Sequence, residues 1–182
     1  MKQFFWNLLA KIVTIPFVTE WLIRQALKTP YTHIKSVCGT KTYMERYWLF
    51  NPYETHLIFK SNNSETQEVE IKKYKWLPSI RIHKIMEPDQ DRHLHDHPWD
   101  MAKTIILRGW YVEEMLGCSR INFKGDVNSL PCGEFHRISE ISPYPVMTLF
   151  FTWNFKEPWG FLVNGKKIHH HTYLKQYPLN GV

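Results

Sequence analysis

His93-Leu94-His95-Asp96-His97-Pro98 is the stretch that decides the reading of this chain, together with a second stretch from Gly125 through Pro131-Cys132-Gly133 to His136. The first places three imidazoles on alternate positions. Alternate residues of a β-strand share a face, so the rings line up rather than scatter. Between the two stretches the sequence reads as strands. Two histidines on one strand, with a third delivered by a distant strand, is how a β-barrel builds a metal site in its interior. By parity alone, the strand's pair is either His93 with His95 or His95 with His97.

The spacing of these residues resembles the cupin superfamily. His95 and His97 fit the family's first motif, and Gly109 falls twelve residues after His97, where that motif has its glycine. That interval selects His95 and His97 as the pair. Gly125, Pro131, Gly133 and His136 fit the second motif. Three positions depart from the pattern. Asp89 stands where the first motif opens with glycine, Ala102 where it has its acidic ligand, and Glu140 where the second motif closes with asparagine. The resemblance therefore implies a three-His site, His95, His97 and His136, similar to that of thiol dioxygenases. Such a site leaves coordination positions for substrate, oxygen or water. It implies one divalent transition metal, Fe(II) in first place, with Zn, Mn or Ni as alternatives. Asp100 and Glu134 are the acids near enough in sequence to add a ligand.

Around these residues the strands Tyr43–Phe50, Thr55–Lys60, Glu68–Tyr74, Ser79–Met86, His93–His97, Lys103–Leu107, Trp110–Met115, Ser119–Phe123, Glu134–Ile138, Val146–Asn154 and Gly160–Val163 are predicted. Asn51-Pro52 and Ser61-Asn62-Asn63-Ser64 punctuate them, and Asn164-Gly165 turns the chain into a last strand, Lys166–Leu174. The expected fold is mainly β, a single antiparallel β-barrel or double-stranded β-helix of jelly-roll type with N-terminal α-helices. Residues 1–30 form the helical segment, with Pro16 dividing two short helices, and 43–175 form the barrel. Lys11, Pro16, Glu20 and Arg24 interrupt any membrane span. The segment is read as packed on the barrel or on a partner subunit, with an interfacial anchor lying on a membrane as its alternative.

The 182 residues make one domain, and a 43% hydrophobic content excludes a disordered chain. A net charge of +6 favours anionic small molecules, with specific nucleic-acid binding not expected. Cys38, Cys118 and Cys132 are odd in number and form no Cys-x-x-Cys pair, which reads as a reduced, cytoplasmic protein. Cys132, His93, Arg81 and His83 are candidate pocket residues, Glu113 a candidate general base and Tyr111 a candidate proton donor. His169-His170-His171 reads as surface or strand-end structure. The expected function is a metal-dependent enzyme on a small anionic molecule, a three-His oxygenase in first place, and the surplus aromatics suggest a homodimer. The alternatives are a nucleotide or sugar-phosphate binding or sensor module, and a sugar-nucleotide epimerase-like protein.

Overall fold

The computed structural model describes residues 2–35, 41–59 and 66–177; Cys38, Lys60 and the expected turn at 61–64 lie outside them. Two helices open the chain, α1 (Lys2–Val13) and α2 (Pro16–Ala26), bent 87° at the break. Pro16 sits at the start of α2, where its missing N–H and fixed φ cost nothing. Among the described residues thirteen strands follow: β1 (Ile34–Lys35), β2 (Thr42–Phe50), β3 (Tyr53–Phe59), β4 (Thr66–Lys72), β5 (Ser79–Ile85), β6 (Ala102–Arg108), β7 (Trp110–Met115), β8 (Cys118–Phe123), β9 (Val127–Ser129), β10 (His136–Ile141), β11 (Val146–Thr152), β12 (Gly160–Val163) and β13 (Lys166–His169). The last described element is α3 (His170–Gln176).

The larger sheet runs β1-β2-β5-β11-β6-β9, all antiparallel. Opposite it lie β10-β7-β8 and the hairpin β12-β13. Strand alternation gives the larger sheet two different faces. Ile82, Ile105, Leu107, Leu149 and Phe151 point outward and are sealed by Trp6, Ala10, Val13, Ile23 and Ala26 of the helices. Ile85, Ile106 and Val146 point inward and pack on Tyr111 and Ile138 of the smaller sheet. Arg81, His83, Thr104 and Thr148 share that inner parity, so these four polar side chains face the interior. The mainly β, antiparallel, jelly-roll-like architecture with N-terminal helices is the one expected, without a closed barrel among the described residues, and β3 and β4 pair as a separate two-stranded sheet.

Two local expectations are corrected. Residues 93–97 are not a regular strand. Only His95 bridges, to His136 on one side and Phe161 on the other, so the segment is a one-residue link joining β10 to β12. The chain after Asn164-Gly165 also stays extended only as far as His169. The imidazole of His169 accepts a hydrogen bond from the His171 N–H at 3.2 Å and starts a helix. Tyr173 of that helix, fully buried, stacks on Phe161 at 3.8 Å. Burial of that aromatic face outweighs the strand preference of the segment.

Candidate metal centre

The backbone builds the site. His95 and His136 exchange both of their N–H···O hydrogen bonds, each 2.9 Å. Residues so paired carry their side chains on the same side of the ladder. Their rings stand 5.1 Å apart, and His97, two residues on, brings its ring within 5.5 Å of His95 and 5.0 Å of His136. Each of the three offers a ligand nitrogen within 4.8 Å of the others. The Nε2 atoms of His97 and His136 are 2.9 Å apart. Two nitrogens each about 2.1 Å from one ion and at right angles lie about 3.0 Å apart. The Nδ1 of His95 is buried and has no hydrogen-bond partner, one of a few polar atoms so left over, with Nε2 of the neighbouring His83 another. The donor set, its spacing and the leftover nitrogen fit a transition-metal ion.

Glu113 settles the tautomer of His136. Its Oε1 accepts from His136 Nδ1 at 2.7 Å, and its Oε2 from Arg120 Nε at 2.8 Å and Asn122 Nδ2 at 3.1 Å. Burial works to raise the carboxyl, but His136 and Arg120 outweigh it and hold it below the ordinary range. An ionised carboxylate only accepts, so the ring proton stays on Nδ1 and Nε2 is bare toward His97. Glu113 therefore orients His136 and is not free as the general base expected from the sequence. Burial, with help from the neighbouring imidazoles, pushes His97 well below 6.5, and burial pulls His95 down to about 4. Neutral imidazole is the form that ligates.

The other sequence candidates divide by side of the sheet. Tyr111 is buried, its hydroxyl accepting from Asn128 Nδ2 at 3.0 Å; burial raises its pKa and Glu113 adds to that. His83 lies inside against Phe150 at 4.7 Å, and Phe150 also meets His97 at 6.0 Å. Arg81 is 7% exposed, with its guanidinium over Trp48 at 4.5 Å and Trp99 at 5.3 Å. Trp99 is stacked on His97. His93 turns away from the triad: its Nδ1 is 2.9 Å from the Tyr173 hydroxyl. The bend at Arg92-His93 breaks the parity that would have kept it with His95.

Cys132 also leaves the triad. It lies with Asp96 and Glu157 in a second group of possible ligands, but Lys167 Nζ already bridges the two carboxylates at 2.7 and 2.9 Å. That ammonium offsets one of the two negative charges and occupies an oxygen of each carboxylate, and the Cys132 thiol, raised by burial and by its bond to Glu157, stays protonated. Asp96 is a fastener. Besides Lys167 it accepts from Gly160 N at 2.8 Å and Gly133 N at 3.1 Å. Gly133 holds φ +90°, a conformation that glycine adopts without strain, and so presents that N–H. Asp89, where the resemblance has glycine, is another fastener. It accepts from Ile138 N at 2.7 Å and from the Tyr43 hydroxyl, tying β10 to β2. Asp100 is engaged with Asn154, Glu134 is exposed, and buried Ala102 supplies no ligand. His170 stacks on Trp159 at 4.5 Å, consistent with a structural reading of the His169–His171 run. Arg120, Asn122 and Lys167 were not singled out from the sequence, nor was the fastening role of Asp89 and Asp96. The only signal was the position of Asp96 between two ligand histidines.

No family model and no curated protein matches the chain. Among solved structures it is similar to the polyketide cyclase RemF from Streptomyces resistomycificus, with 12% identity, TM-score 0.47, and 75% of this chain and 83% of that one covered. A sugar phosphate isomerase from a cupin superfamily of Silicibacter pomeroyi gives 9% identity and TM-score 0.44, covering 73% and 74%. A cupin-like protein of Thermotoga maritima gives 17% and 0.38, covering 76% and 87%. At such levels the chemistry of the site is read from this chain's own side chains. Two facing antiparallel sheets, with imidazoles of two separated motifs meeting between them, are the arrangement that the resemblance to the cupin superfamily implies.

Proposed function

We propose that the chain is a metal-dependent enzyme, a non-haem Fe(II) oxygenase whose three-His centre acts on a small anionic molecule. The observation that carries this reading is the convergence of His95, His97 and His136, with the proton of His136 held on the far nitrogen by Glu113. Three neutral nitrogens, with Ala102 in place of an acid, leave coordination positions for substrate and oxygen. Bound Fe(II) supplies oxygen activation, or polarisation of a substrate oxygen.

The chain's own residues do the rest. Burial of His95 and His97 keeps them unprotonated and competent. Arg81 is a buried guanidinium that no carboxylate pairs with among the described residues, and its Nε lacks a partner. Its guanidinium lies over Trp99, which stacks on His97, and this places it to orient an anionic group toward the triad. Tyr111, held protonated by burial, remains the proton donor of this reading. The buried Arg81 also favours a second reading, capture of an anionic ligand without turnover.

Protein purified without added metal is to be analysed for iron, zinc, manganese and nickel, then tested for oxygen uptake with small carboxylates and phosphates. The oxygenase reading expects about one iron per chain and uptake that is lost in His136→Ala. Absence of any bound transition metal removes it. A ligand that raises the melting temperature of the metal-free protein and is never converted selects the second reading.

A further inference from the structure

The two N-terminal helices are apolar on more than the face they bury. Trp6, Ala10, Val13, Ile23 and Ala26 are committed to the larger sheet. The opposite side carries a second set: Phe4, Phe5, Leu8, Ile12, Phe17 and Trp21. Phe4 and Phe17 are each 74% exposed and Trp21 is 58% exposed. Phe4, Leu8 and Ile12 follow one another at four-residue intervals, as do Phe17 and Trp21, so each helix presents a stripe rather than scattered residues. A contiguous outward apolar surface of this kind marks an interaction site.

Charge selects the occupant. Lys11 lies beside the stripe of α1, and Arg24 and Lys28 follow Trp21 by one and two turns; all three are exposed. No carboxylate pairs with them among the described residues. The single acid in the first 28 residues, Glu20, is bound to Arg108. A second copy docked on this face through a two-fold axis would bring like cations together with no free acid to meet them. Anionic lipid headgroups complement both the cations and the aromatic stripe.

Length and packing fix the mode of contact. The twelve residues of α1 span about 18 Å against an apolar bilayer core of about 30 Å. No single helix among the described residues is long and apolar enough to cross a membrane. Crossing as a bent pair would strip Trp6, Val13 and Ile23 from the core. We propose that the outer faces of α1 and α2 seat the protein on an anionic lipid surface. Phe4, Leu8, Phe17 and Trp21 enter the headgroup boundary, and Lys11, Arg24 and Lys28 meet the phosphates. The helices lie on the membrane and do not span it.

The test is co-sedimentation of the full chain with two vesicles, phosphatidylcholine alone and phosphatidylcholine with about one third phosphatidylglycerol. The proposal expects sedimentation with the anionic vesicle, weakening as salt rises, and about ten-fold weaker binding for both F17S/W21S and R24E/K28E. All four positions are exposed, and circular dichroism confirms folding of each variant. If F17S/W21S fails to fold, the charge variant alone decides. Failure to bind either vesicle, or unchanged binding by the variants, overturns the proposal. So does a dimer seen by light scattering that F17S/W21S dissociates while vesicles are ignored, because the face then belongs to a second copy. Metal content does not enter the readout, so the result is independent of the triad's chemistry.

Discussion

Glu113 is the side chain on which the triad's geometry turns. Its carboxylate collects His136, Arg120 and Asn122. Replacing it with glutamine removes the charge that holds the His136 proton and aims an amide N–H at donors. Glu113→Gln is expected to weaken metal binding about 10- to 100-fold, read by isothermal titration with Zn(II) or Fe(II). A second prediction comes from the acid titration of the metal-free protein. His95 titrates at about 4 in the fold and His97 well below its ordinary value, because burial opposes their charge. The unfolded chain, with histidine near about 6.5, binds more protons in the window between. Stability is therefore present above about 6.5 and lost as pH falls toward about 4, with melting temperature dropping through that window. A His95→Gln/His97→Gln variant is expected to show a flatter profile. The three converging histidines were legible in the sequence because the motif they fit has fixed spacing. The role of Glu113 was not, because it depends on two donors from β8 that meet it only across the ladder.

The link at 94–97 has little ladder of its own, and Asp96 compensates. Between β12 and β10 it makes one bridge each way, and Asp96 fastens it to Gly133, Gly160 and Lys167. Asp96→Asn keeps the shape but leaves the partly exposed Lys167 without its closest charge. A loss of about 2 kcal/mol in urea melts is expected, together with weaker metal binding from a looser His95 and His97. Unchanged metal affinity in that variant would show that the ladder alone positions the rings. Trp110–Met115 and Gly160–Val163 were read from the sequence with their observed ends, since a turn follows each, at Gly117 and at Asn164-Gly165. The segment after Ile168 was read as strand because β-prone residues and imidazoles give no helix stop or start. Only the spacing of His170, Tyr173 and Tyr177 hinted at a helix, and the packing that makes it one comes from Phe161.

The chain as a unit is a two-sheet shell closed on its outside by helices. Trp6 meets Phe151 at 5.1 Å and Trp153 at 6.1 Å, edge to face. Trp6→Ala is expected to cost about 3 kcal/mol, whereas Phe17→Ser, at an exposed site, is expected to cost under about 0.5 kcal/mol; chemical denaturation distinguishes them. That contrast was invisible in the sequence, where both α1 and α2 carry apolar residues on two sides and periodicity alone names no inward side. The inner parity of β5 was likewise open until the sheet order placed Ile82 under the helices and Arg81 with His83 inside.

Anomalous diffraction from a crystal of the metal-loaded protein, collected across the metal's absorption edge, is the most direct measurement. The predicted result is one peak about 2.0–2.3 Å from a ring nitrogen of each of His95, His97 and His136. A loaded crystal with no peak among those rings, or with its metal held at Asp96, Cys132 and Glu157 instead, contradicts the account.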